Sequence, residues 1–108
     1  MVVTLNVTVY GFGSSFGKFA AALDVDLLVV HSSTDASSCD YAIQCKRHLA
    51  EQIGRAHVTM LSASENTQFE FIRRSRALDL GTLRKDHLEA DLQSIIGNIC
   101  RLTLSLPV

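Results

Sequence analysis

The residues best suited to chemistry gather in the first quarter of the chain: Gly13-Ser14, a gap of nine residues, then Asp24-Val25-Asp26. A glycine lets a phosphate come close to the backbone. The serine beside it offers a hydroxyl next to the amides of a helix start, where the dipole favours an anion. Residues i and i+2 of a strand point to one side, so Asp24 and Asp26 present two carboxylates to one region of space. Such a pair repels itself unless a cation intervenes, and hard oxygen donors suit Mg²⁺ or Mn²⁺, which keep water and phosphate oxygens as further ligands. A phosphate cradle and a metal clamp are most of what phosphoryl-type transfer asks of a protein, because catalysis there is positioning and charge neutralisation.

The glycines admit a second reading. Gly11, Gly13 and Gly17 form Gly-x-Gly-x-x-x-Gly between an expected strand and an expected helix, a variant of the dinucleotide-binding turn. That turn calls for an acidic residue about 20 positions on to hold the ribose, and His31 stands there instead. His31 reads as a polar strand end beside the pocket, and His48 and His87 as solvated helix residues. Cys39, Cys45 and Cys100 are an odd set without zinc or disulfide spacing, and Cys45 with His48 makes one ligand pair without a second. Lys46, Arg47, Arg73, Arg74 and Arg76 supply positive charge, either to the acceptor side of a site or to solvent.

The elements that position these residues follow from hydrophobic period. Over residues 3–9 the apolar side chains Val3, Leu5, Val7 and Val9 alternate with Thr4, Asn6 and Thr8, the period of a half-buried strand. A turn over 11–17 and a short helix over 18–23 follow. Residues 25–30 are nearly all apolar, as in a strand covered on both faces. A helix capped by Ser37 or Ser38 runs to a stop at Gly54, and a third strand spans 56–61. Another helix starts at Ser62 or Ser64, passes Phe69, Ile72 and Leu78, and closes at Gly81. The last spans 83–102, with Leu88, Leu92, Ile95, Ile96, Ile99 and Leu102 as one apolar stripe, for the core or for a homodimer seam or partner. The expected class is α/β (α+β), a single domain over 1–108 with a small mixed sheet of about three or more strands and helices against it.

Bulk properties narrow the function classes. The chain of 108 residues is 47% hydrophobic and 19% charged, as for a packed globule. A net charge of −1 gives no positive field for nonspecific nucleic-acid binding. No run approaches the roughly 20 apolar residues of a membrane span, and no basic start precedes an apolar block. A cytoplasmic protein with reduced thiols is the expectation.

Gly13-Ser14, Asp24-Val25-Asp26, the apolar run Leu27-Leu28-Val29-Val30 and the later run His57-Val58-Thr59-Met60-Leu61-Ser62 resemble the DNA polymerase β-like nucleotidyltransferases, in particular their minimal bacterial members. The resemblance covers roughly residues 3–80. It implies that Gly13 and Ser14 bind the triphosphate of a nucleotide such as ATP and that Asp24 and Asp26 hold the divalent metal. A third carboxylate in that family often comes from the later strand, and here His57 falls at that position, without fixed negative charge. The family includes transferases acting on small molecules, RNA or proteins, among them members of toxin–antitoxin pairs, and also non-catalytic binding modules.

Overall fold

The computed structural model describes residues 6–12, 25–32, 35–53 and 56–103. In chain order the elements are β1 (Asn6–Phe12), β2 (Val25–His31), α1 (Ala36–Gln52), β3 (Ala56–Ser62), α2 (Ala63–Phe69), α3 (Phe71–Ser75), β4 (Leu78–Arg84) and α4 (Leu88–Thr103), with a 3-10 turn at Lys85–His87 before α4. The strands form one mixed sheet in the order β3-β2-β1-β4. β1 is antiparallel to both β2 and β4, and β2 is parallel to β3. A parallel neighbour needs a crossover, which α1 supplies. The class is α+β, as expected, and the small mixed sheet has four strands.

β1 keeps its period of two: Val7 and Val9 are buried while Thr8 and Tyr10 are only partly so. It runs on through Gly11 and Phe12, so the change of direction expected at Gly11 comes later. Leu27, Leu28 and Val29 of β2 are all fully buried, the mark of a central strand covered on both sides. One face carries the main core, where Val7, Val9, Leu27, Val29, Leu80 and Leu83 meet Tyr41, Ala42, Cys45 and Leu49 of α1 and Leu92, Ile95 and Ile99 of α4. Each buried valine, leucine or isoleucine there contributes about 1.5–3 kcal/mol by leaving water. The opposite face carries Thr8, Tyr10, Phe12, Asp26, Leu28, Val30, His57 and Thr59, by strand alternation and register.

Helix ends show why the chain turns where it does. The cap of α1 is Asp35, whose side chain accepts from the Ser38 N–H at 2.8 Å, and not Ser37 or Ser38. Asp35 stands one turn earlier, and its carboxylate reaches an amide that a serine already inside the helix cannot. Ser62 caps α2 reciprocally: its hydroxyl accepts from the Glu65 N–H at 3.1 Å, and Glu65 accepts from the Ser62 N–H at 3.0 Å. This is a capping box. Hydrogen bonding from Ser62, its backbone N–H first and its hydroxyl second, holds the Glu65 carboxyl below its ordinary range.

The last third departs most from expectation. The helix expected to close at Gly81 breaks at Glu70 and ends at Ser75, with Glu70 and Arg76 both left-handed at φ 50° and 54°. The Ala77 N–H then closes the turn on the Ile72 carbonyl at 3.0 Å. Residues 78–84 form a fourth strand, and Leu83, expected to open the last helix, is fully buried within it. A bulge opposite Val9 and Tyr10 shifts the register, so the apolar residues of β4 do not alternate. Gly81 sits in it at φ +133°, where an added Cβ would lie 3.1 Å from Ile95 Cγ1. Glycine serves the close approach of α4 and not a helix stop. The Leu80 carbonyl accepts from the Asn98 side-chain amide at 2.8 Å. Arg84 locks the start of α4 through a two-pronged contact with Asp91, at 3.0 and 2.9 Å. Among the described residues no helix is long and apolar enough to cross a membrane.

Candidate functional site

Asp26 is the second residue of β2. Register sets it against His57 of β3 on one side and Phe12 of β1 on the other. Paired residues on neighbouring strands project to the same face about 4.8 Å apart. Carboxylate and imidazole therefore stand side by side on the face away from α1 and α4, Asp26 half-buried and His57 exposed. Two residues singled out separately in the sequence, one from the Asp-x-Asp pair and one from the third-ligand position, meet at one end of the sheet.

Phe12 adds a neighbour that sequence reasoning left in a turn. Its ring meets Phe71 edge-on, with centroids 5.1 Å apart and planes at 88°, a favoured aromatic geometry. The contact brings the start of α3 to the Asp26 end of the sheet. Arg73 and Arg74 stand exposed on that short helix, Arg73 paired with Glu70 at 3.4 Å. The signal in the sequence was the odd-even alternation, which continues through Gly11 and so places Phe12 beside Asp26.

Other expected residues lie elsewhere. Lys46 and Arg47 belong to α1, on the opposite side of the sheet, beside Met60. They cannot line an acceptor site at Asp26. His31 closes the far end of β2, five residues from Asp26 or about 16 Å along a strand; it is buried, faces the α1 side and pairs in register with Ser62. It is no neighbour of the Asp26 end. Cys45 is fully buried against the core, and burial pushes its thiol up to about 11, with a hydrogen bond involving Tyr41 pulling the other way. A neutral thiol turned inward makes no ligand pair with His48. The dinucleotide-turn reading fails on topology: β1 and β2 are antiparallel, whereas that turn joins parallel strands, and Gly11 is a strand residue.

Gly13, Ser14 and Asp24 lie outside the described residues. In sequence Gly13 follows Phe12 and Asp24 precedes Val25, the residues that bound β1 and β2 at the Asp26 end. Among the described residues no group of three or more His, Cys, Asp or Glu is placed to hold a metal ion. Mg²⁺ is commonly bound by one or two carboxylates together with water and phosphate oxygens. Asp26 is one carboxylate of the kind such an ion takes, while the imidazole of His57 is a poorer donor to a hard cation than a third carboxylate. Compared with protein-family models, with curated proteins and with solved structures, the chain finds no match.

Proposed function

We propose that the Asp26 end of the sheet binds a nucleoside triphosphate, ATP in the first instance, and transfers its nucleoside monophosphate to an acceptor hydroxyl. Gly13 and Ser14 grip the triphosphate, Asp24 and Asp26 hold Mg²⁺ or Mn²⁺, and His57 takes the third ligand position. The metal would neutralise charge on the phosphates. The acceptor oxygen bonds to the α-phosphorus, the bond from that phosphorus to the bridging oxygen breaks, pyrophosphate leaves, and the hydroxyl proton passes to water. Recognition of the acceptor falls to a partner protein or a second copy of the chain, in the cytoplasm. Leu92, Ile95 and Ile99 of α4 are buried against the molecule's own sheet, so half-buried Leu88 and Ile96 are the part of the described stripe left to meet such a partner.

The pairing of Asp26 with His57 across β2 and β3 carries this reading. The test is incubation with ATP labelled at the α-phosphate, with and without Mg²⁺, reading pyrophosphate release and label on co-purified protein. Turnover that needs both Mg²⁺ and Asp26 supports it. Metal-independent binding, or none, removes it.

A second reading is favoured by His57 itself. An imidazole brings no fixed negative charge, so a second metal is held less firmly than by a carboxylate triad. A nucleotide-binding module without turnover is the outcome that observation favours. His57→Asp separates the two: in an active enzyme it raises turnover, and in a module that lacks only this carboxylate it creates turnover where there was none.

A further inference from the structure

The two outer strands of the sheet are guarded differently. β4 carries a bulge opposite Val9 and Tyr10, with Asp79 and Arg84 along it, the means by which edges are kept from pairing with other chains. β3, Ala56–Ser62, has neither lysine nor proline, and its pairing with β2 runs without a break. Among the described residues no strand pairs with its far side.

Beside that edge lies a hollow of about 400 Å³ lined by Ile43, Lys46, Arg47, Ala50 and Met60. Ile43 is 44% exposed, one of two large apolar side chains left open among the described residues. An unguarded edge next to an apolar hollow offers what strand addition needs: main-chain pairing for affinity and a pocket for alternate side chains. The rim decides the occupant. If two copies paired β3 with β3 around a two-fold axis, both α1 helices would lie on one side of the joined sheet, with Lys46 and Arg47 of each facing those of the other. Like charges disfavour that arrangement, and an acidic partner complements it.

We propose that the outer edge of β3 takes an extended segment of a partner protein, with an aliphatic side chain seated among Ile43, Ala50 and Met60 and acidic side chains against Lys46 and Arg47. The proposal does not depend on nucleotide chemistry at Asp26.

The probe is a displayed library of random peptides about ten residues long, somewhat more than one ordinary strand, selected on the full chain. Retained peptides are expected to place Asp or Glu beside an aliphatic residue. Titrated singly, they should slow amide exchange across β3, and the double variant Lys46→Glu, Arg47→Glu should weaken them about tenfold, in line with two ion pairs of ordinary strength. Ile43→Asp, at an exposed position, should weaken them likewise while leaving the circular dichroism unchanged. The proposal is overturned by any of four results: no retained peptide, retention without acidic bias, protection at β4 instead of β3, or a dimer whose β3 amides are protected before peptide is added.

Discussion

The two faces of the sheet are built to opposite ends. On the α1–α4 side Val7, Val9, Leu27, Val29, Leu80 and Leu83 present aliphatic surface to two helices, and all are almost wholly removed from water. On the other side, fully buried Leu28 shares its face with half-buried Asp26 and exposed His57. The first face holds the fold together, while the second leaves a carboxylate and an imidazole near solvent, where they can meet a ligand. Stability and candidate chemistry thus sit on alternate residues of the same strand, and substitution one position apart should separate them.

The largest effect is expected from Leu27→Ala, which removes a fully buried side chain from the helix-covered face of β2. The cost should be about 2–5 kcal/mol, transfer and cavity together, read from denaturant unfolding. A cost below about 1 kcal/mol would mean that the helix-covered face is not the main core. Gly81→Ala comes next. Its φ of +133° and the 3.1 Å approach to Ile95 Cγ1 should cost about 1–3 kcal/mol, and Ile95→Ala, which removes that γ carbon, should make the double variant cost less than the sum of the two single changes.

The Arg84–Asp91 pair gives a smaller effect with a definite pH signature. Hydrogen bonds from the Arg84 guanidinium hold the Asp91 carboxyl at about 2, against some opposing desolvation. A carboxyl lowered in the folded state contributes stability above its unfolded value, near 3.9. That contribution fades as pH falls from about 4 towards 2. Asp91→Asn should lower the melting temperature at neutral pH and flatten its dependence over that acid window. A slope identical to the parent's would show that the pair does not act on stability. Asp26→Asn should have the smallest effect, within about 0.5 kcal/mol of the parent in stability.

Legibility followed the same physics. β2 and α1 were readable because an apolar run, a polar loop and helical spacing all agreed. β4 was not, because its bulge destroys the period of two: Leu78 is exposed, Leu80 buried, Thr82 exposed and Leu83 buried. A glycine placed for a close helix contact looked like a helix stop, and Ile72 to Leu78 mimicked helical spacing across what is a left-handed turn and then a strand. At the candidate site, Asp26 and His57 were readable as residue types, and register supplied their adjacency. Phe12 is easily missed, since a phenylalanine between two glycines reads as loop although the period of two reaches it, and its contact with Phe71 was hidden. The placement of Lys46 and Arg47 was equally hidden, because a sequence does not say which face of a sheet a helix covers.

The most direct test is calorimetric titration of ATP into the parent chain and Asp26→Asn, each with and without Mg²⁺. The account predicts binding in the parent that requires Mg²⁺ and is lost in Asp26→Asn while the melting curve stays put. Equal binding by both proteins, or binding indifferent to the metal, would contradict it.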